Sequence, residues 1–310
     1  MAVDWLSHLM RLLALEGRVE VRCMYGAAWE GAYEPSAPGD IPYHIILSGS
    51  ARITTSEGGP PLQLVAGDMV LLTHGSAHVM NDGSGEAPVP ASRREQAGMP
   101  VLENGGGDGR LDMLCGRFML APPQQRLMRT YLPARLLVRS GDHHATAPSA
   151  SAVQLAGLVA LMRTEYGMDT MGGRAMLDAL SAALFVLALR LASEDAAAPA
   201  GLLAVAGHPR LAPALAAMVT EPGRPWTLPA LAKLCNMSRA TMARHFEDKL
   251  GHSASDLLID IRMALATNEL KKGHVSTEKV AEMVGYQSVA AFQRIFKQRM
   301  GVTPAAWRKT

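Results

Sequence analysis

The sequence predicts an α+β chain, with a small N-terminal β-barrel, a helical segment, and an all-α C-terminal domain that contains two helix-turn-helix units. Three observations carry this. Residues 18–80 contain runs of alternating apolar side chains with glycine at the bends, the signature of short strands in a barrel or sandwich. Residues 151–193 contain two apolar runs at helical spacing. The C-terminal part contains one pattern twice, LAKLCNMSRATMARHFEDKLG and VAEMVGYQSVAAFQRIFKQRMG. Ser238 pairs with Ser288, Phe246 with Phe296 and Gly251 with Gly301 at a spacing of 50, whereas Leu231 pairs with Val280 at 49, so a one-residue slip falls in the turn.

In chain order, residues 5–15 form an amphipathic helix and the runs VEVRCMYG, YHIILSGSARITT and LQLVAGDMVLLTHGSAHVM form strands. Residues 82–109, rich in Gly, Pro and charge, read as one long, partly disordered loop. RLDMLCGRFML resumes the strand pattern and YLPARLLVRS adds a further strand. Helices follow at 151–166 and 171–193, then a small-residue linker at 194–201 and a helix at 209–219. The domains are expected at 1–145, 146–204 and 205–310, and the middle one presents Leu155, Leu158, Val159, Met162, Leu180, Leu184 and Leu187 for packing on the barrel or for a homodimer.

In the first repeat the expected helices are 230–234 and 239–250, with Ser238 as N-cap; Met242 and Phe246 face inward and Arg239, Thr241, Arg244, His245 and Lys249 outward. In the second they are 277–284 and 289–300, with Ser288 before the second helix, Phe292 and Phe296 inward and Gln293, Arg294 and Lys297 outward. A helix at 255–271 joins the repeats and sets the separation of two reading helices, allowing entry into successive major-groove segments roughly 34 Å apart.

Charge is divided in the same way. From Val205 onward there are 15 Lys plus Arg against 8 Asp plus Glu, the remainder has 15 against 20, and every lysine lies at or after Lys233. A basic excess confined to the repeated motif is the footprint of a module that binds the DNA phosphate backbone. Three cysteines, Cys23, Cys115 and Cys235, are too few for a disulfide framework or a four-cysteine zinc site, and Cys235 reads as core. The opening helix lacks the layout of a secretion signal and the apolar stretch near Arg190 is short for a membrane span, so a cytoplasmic protein with no membrane partner is expected. No nucleophile elbow, phosphate loop or paired general acid and base is present, and no enzyme is expected.

Residues 208–308 resemble the DNA-binding domain of the AraC/XylS transcription regulators through WTLPALAKLCNMSRATMARHF and VAEMVGYQSVAAFQRIFKQRMGVTPAAWR, including Gly285, Tyr286, Phe292, Phe296, Gly301 and Pro304. The resemblance implies a regulator, usually an activator, with double-stranded promoter DNA and RNA polymerase as partners. Ala240, Ala243 and Ala290 are bland on the reading helices, which leaves the contacted bases open. The first 140 residues resemble a cupin-like effector domain: Gly67, Asp68, Gly75 and His78 fit its second motif, and His44 and Gly49 fit a degraded first motif in which Ile46 replaces a histidine. His44 and His78, with His74 nearby, fall short of the cupin ligand count; copper or zinc is what such a pair could hold, and no cofactor is expected.

Within that branch the order of motifs is similar to RclR-type regulators, which respond to reactive chlorine. That resemblance implies redox sensing by Cys23 and Cys115, with two small buried side chains as the alternative. Arg93 and Arg94, beside Asp82-Gly83-Ser84-Gly85, allow a further reading in which the loop grips an unknown anionic effector such as a cyclic dinucleotide. A cupin-type metal enzyme is the least supported reading.

Overall fold

A computed structural model describes residues 4–105, 110–139, 149–194 and 200–309. Its elements in chain order are α1 (Trp5–Leu13), β1 (Glu16–Tyr25), β2 (Glu30–Tyr33), β3 (Asp40–Thr55), β4 (Leu62–Val65), β5 (Met69–Leu71), β6 (His78–Asn81), β7 (Ser92–Gln96), β8 (Met99–Asn104), β9 (Leu111–Met119), α2 (Pro122–Tyr131) and β10 (Leu136–Val138). They continue with α3 (Ala150–Tyr166), α4 (Gly173–Glu194), α5 (Leu202–Ala206), α6 (Ala212–Thr220), α7 (Leu228–Leu234), α8 (Arg239–Leu250), α9 (Ala254–Lys272), α10 (Thr277–Met283), α11 (Val289–Met300) and α12 (Pro304–Trp307). These elements assemble into two compact units. One comprises the described residues of 15–120 and 133–194; the other comprises those of 1–14, 121–132 and 195–310.

The first unit is a curled half-barrel whose sheet runs β10-β5-β3-β9-β1-β8-β7, with β4 and the β2–β6 pair on the far half of β3. β3 serves both halves because it bends: its register shifts between Ile46 and Ser48, and Gly49 there adopts φ 79° where a Cβ would lie 1.8 Å from the Arg110 carbonyl oxygen. Alternation along β1, β3 and β9 then assigns side chains to two buried faces. Cys23, Ile46, Met113 and Cys115 point into the lumen with Trp29, Val70 and Met80. Arg22, Tyr43 and Phe118 meet α3 and α4, where Tyr43 Oη lies 2.9 Å from Ser181 Oγ and the Phe118 and Phe185 rings pack edge to face.

With α3 packed on α4 and α4 on the sheet, Leu155, Met162 and Leu184 are buried, while Leu158, Val159, Leu180 and Leu187 are half-buried. α4 is long and apolar enough to cross a membrane by length and composition, yet its Leu177, Ser181 and Phe185 are buried in this unit. The long loop expected at 82–109 is corrected: Ser92–Gln96 and Met99–Asn104 form a hairpin, and β8 lies parallel to β1 with Cys23 opposite Leu102. Strand pairing and burial of Met99 and Val101 overcame a composition that favours loops. Residues 106–109 of that segment, and 195–199 of the expected linker, lie outside the described residues.

The second unit is helical. α9 is its axis, with α1 packed on α6 and α9, α2 on α9, and the pairs α7–α8 and α10–α11 at its two ends. The repeated sequence produces a repeated backbone. Asn236 (φ 49°) and Gly285 (φ 82°) take the left-handed conformation at equivalent turns. The next amide closes the same bond in each, Met237 N–H to the Ala232 carbonyl and Tyr286 N–H to the Ala281 carbonyl. The slip from 49 to 50 follows at Gln287. Ser238 and Ser288 cap α8 and α11 by accepting from Thr241 and Ala291 N–H, and Gly251 and Gly301 end both helices in the left-handed conformation. α2 and α5 have no counterpart in the sequence-based expectation. Both are short and marginal alone, and burial of Leu127, Met128 and Tyr131 in α2 and of Leu202, Leu203 and Val205 in α5 supplies what propensity lacks.

Gly116 is another point where the sheet has no room for a side chain, since a Cβ there would lie 2.2 Å from the Arg18 carbonyl oxygen and 2.5 Å from Tyr43 Oη. Gly116→Ala is therefore expected to destabilise the half-barrel by about 1–3 kcal/mol or more through overpacking, seen as a lower urea midpoint; an unchanged midpoint would show that the sheet is not close-packed there.

Candidate functional site

Two regions hold the chemistry. The first is the lumen of the half-barrel, where β9 lies between β1 and β3. Register sets His44 opposite Cys115, and Val21 opposite Cys115 with Cys23 opposite Met113, so the two cysteines are diagonal neighbours on one face. Both thiols are buried and free. Their side chains hydrogen-bond to each other: that contact pushes the Cys23 thiol down against the opposing effect of burial, and pushes Cys115 up together with burial. Of the pair, Cys23 is the one that ionises more readily.

Cys115 Sγ also lies 3.0 Å from His44 Nδ1, and His44 Nε2 lies 2.8 Å from His78 Nε2. His78 Nδ1 is 3.0 Å from the Ser76 carbonyl oxygen, which can only accept. Tyr33, opposite His78 in the β2–β6 register, stacks on the His78 ring at 4.5 Å and bonds to Cys115. Full burial pushes His44 down to about 3, and burial lowers His78 as well, so both rings are neutral near pH 7.

His44 and His78, the pair that could hold copper or zinc, face each other in the lumen. The two Nε2 atoms are bonded to each other instead of converging on a common point. Among the described residues no group of three or more His, Cys, Asp or Glu side chains is placed to hold a metal ion. His74 stands apart, with Nδ1 3.4 Å from Glu57 Oε1. Arg93 and Arg94 alternate on β7 and so point to opposite faces; Arg94 pairs with Glu103 at 2.8 Å, and Asp82 pairs with Arg110 at 2.9 Å. A single anion gripped by both arginines does not fit that placement.

The support behind the cysteines is absent from the sequence-based expectation. Arg22 and Asp112 form a buried fork, Nε to Oδ1 at 2.8 Å and Nη2 to Oδ2 at 2.7 Å, and the Arg22 amide donates to Tyr166 Oη at 3.1 Å. Each is one residue off the lumen-facing set, which is why alternation sends it to the opposite face. Tyr25 sits within an expected strand, at a position that period-two spacing could have picked out, whereas Tyr33 lies on a four-residue strand that no expected run covers.

The second region is the exposed face of α8 and α11. Arg239, Arg244 and Lys249 are exposed on α8 and Gln293, Arg294 and Lys297 on α11, above buried Met242, Phe246, Phe292 and Phe296. Ser238 and Ser288 are exposed at the helix starts. Thr241 and His245 are only half-buried, Thr241 bonded to Ser238 Oγ at 2.9 Å and the His245 ring 5.9 Å from that of His208. Cys235 is core, as its position inside the first repeat predicts.

A half-barrel with a polar cluster in its lumen, joined to paired helix-turn-helix units with a basic outer face, defines a DNA-binding transcription regulator with a second, β-rich domain. A cupin family model matches residues 4–194, and a helix-turn-helix domain model matches residues 231–310. The chain belongs to that cupin family, and with its second domain it is an AraC-type regulator. It is 28% identical over 309 residues, 99% of each chain, to an uncharacterized HTH-type transcriptional regulator of Haemophilus influenzae. It is 25% identical to the RCS-specific HTH-type transcriptional activator RclR of Escherichia coli, over 99% of this chain and 98% of that one. The HTH-type regulator MtrA of Neisseria gonorrhoeae is 27% identical over the same shares.

Because His44 refuses a proton until about pH 3 while an unfolded histidine takes one near 6.5, the unfolded state binds more protons between those values. Stability therefore falls as pH drops from 6.5 towards 3, by up to about 1.4 kcal/mol per pH unit from this ring. His44→Gln is expected to give a shallower dependence in urea titrations across that window; an identical slope would place the buried imidazole in water instead.

Proposed function

We propose that this chain is a cytoplasmic transcription activator that binds promoter DNA through α8 and α11 and changes its output when an oxidant joins Cys23 to Cys115. The observation that carries the redox part is the pair itself: two free thiols in mutual contact, of unequal acidity, buried beside the His44–His78 pair. A relative that spans nearly the whole chain is named as specific for RCS, which supports an oxidant of that class. The relatives compared are named as regulators, which supports a role without catalysis.

The route from thiol to helix follows the covalent chain. Diagonal neighbours across an antiparallel pair stand roughly 7–8 Å apart, whereas a disulfide spans about 4.4–6.8 Å between Cα atoms, so closing the bond draws β1 and β9 towards a new register. The start of β1 follows directly on α1, and the end of β9 leads into α2. Those two helices pack on α9, which lies between the reading units in sequence. Gln124 on α2 bonds to Asn268 at 2.6 Å, and Asn268 Nδ2 donates to the Leu12 carbonyl at 2.8 Å. Tyr131 Oη donates to buried Asp260 at 2.8 Å, and Arg299 on α11 lies 3.4 Å from the other Asp260 oxygen. A pull on α1 or α2 is thus borne by residues of α9 and α11.

On the DNA side, Arg244→Ala is expected to weaken binding by about 1–3 kcal/mol and relax preference at one base pair if the guanidinium reads a base edge, whereas a phosphate contact would give a uniform loss and a salt slope reduced by about one; both are read in binding titrations over a salt series. Cys23→Ser and Cys115→Ser are each expected to abolish oxidant induction of a reporter while reduced protein keeps its affinity for DNA. Induction that survives both substitutions would discard the thiol mechanism and leave the regulator.

A further inference from the structure

We propose that His44 is the base that deprotonates Cys115 when its sulfur attacks oxidised Cys23, and that His78 is the positioning residue that holds His44 in the one tautomer able to do so. This rests on the redox reading above and adds the proton path that it needs.

The tautomers follow from one fixed end. The Ser76 carbonyl accepts only, so His78 Nδ1 carries the hydrogen in their 3.0 Å bond. A neutral His78 then presents a bare Nε2, and His44 must donate from its Nε2 across the 2.8 Å contact. His44 is left with a lone pair on Nδ1, 3.0 Å from Cys115 Sγ. Stacking of Tyr33 on His78, at 4.5 Å and 5°, keeps that ring in plane. The Cys115 hydrogen therefore has two acceptors, Cys23 sulfur and His44 Nδ1. While Cys23 is a thiolate the hydrogen stays with it, which favours Cys23 as the first sulfur oxidised and keeps Cys115 as a thiol. Oxidation removes the sulfur charge and with it that acceptor, and the His44 lone pair is what remains.

The steps balance. The Cys23 thiolate reacts with a two-electron oxidant HO–X, of the hypohalous acid or hydroperoxide class, to give the sulfenic acid and X⁻. Cys115 S–H then gives its proton to His44 Nδ1, the sulfur attacks Cys23 sulfur, and the S–O bond breaks. The departing hydroxide takes the proton back from His44 and leaves as water, so that one disulfide and one water form from a thiol and a sulfenic acid.

The test is rapid mixing of the full-length reduced protein with one equivalent of hypochlorous acid, with dimedone trapping of sulfenic acid and mass spectrometry of the Cys23–Cys115 disulfide. Wild type is expected to form the disulfide with little trapped Cys23, and Cys115→Ser to trap Cys23 fully. His44→Gln, which keeps an acceptor but cannot take a proton, is expected to slow the disulfide by about 100-fold or more and to accumulate the adduct on Cys23. His78→Phe should slow it to a lesser degree and His78→Gln should restore it, because an amide oxygen can accept from His44 Nε2; this pair also serves if His44→Gln does not melt cooperatively. A His44→Gln rate equal to wild type, or His78→Phe equal to His78→Gln, overturns the relay while leaving the thiol pair intact. Wild type that never forms the disulfide overturns the redox reading itself.

Discussion

The antiparallel pairing of β1 with β9 is the constraint on which the rest depends. β9 runs beside β1 and beside β3 at once, so each of its side chains is committed to one of two buried faces. The lumen face receives the thiols and, from β3, the imidazole. The opposite face receives Arg22 and Asp112, joined by a buried ion pair between β1 and β9, and Tyr43 and Phe118, whose rings stack on each other while Phe118 meets Phe185 of α4. A buried guanidinium–carboxylate fork adds little net stability, but losing one partner leaves a charge stranded, typically at about 3–5 kcal/mol. Such a fork fixes register more than it strengthens the sheet, and register is what brings the cysteines together.

The helical unit obeys a parallel constraint in α9. Its apolar residues form the core shared with Val280, Phe292 and Phe296, while Asp260 and Asn268 meet partners on other helices. Apolar packing alone would tolerate small slips of one helix on another, whereas paired hydrogen bonds of this kind define an arrangement with few alternatives. A small set of discrete arrangements is what a switch between outputs requires, and in the proposed mechanism α1 and α2 choose among them.

Much of this was legible in the sequence, for identifiable reasons. α8 and α11 were bounded correctly because each has a serine cap, an i, i+4 apolar pair and a terminal glycine, three independent local signals. Cys23 with Cys115, and His44 with His78, could be singled out as two pairs, but not as one connected cluster. That His44 bridges Cys115 and His78 depends on non-local strand order, since β4 to β8 all intervene in the chain between β3 and β9. The hairpin at 92–104 was hidden because glycine and proline around it speak for a loop, while its pairing partner, β1, lies far back in the sequence. Arg93 and Arg94 read as a joint anion grip until alternation on β7 separates them.

Hydrogen–deuterium exchange on the reduced and the oxidised full-length protein tests the central claim most directly, since exchange reports opening of backbone bonds element by element. If closure of the Cys23–Cys115 bond shifts β1 against β9, protection changes in those strands and also in α1, α2 and α9. A change confined to β1 and β9, with the helices identical in both states, would contradict the account and leave the cysteine pair without a path to the DNA-reading helices.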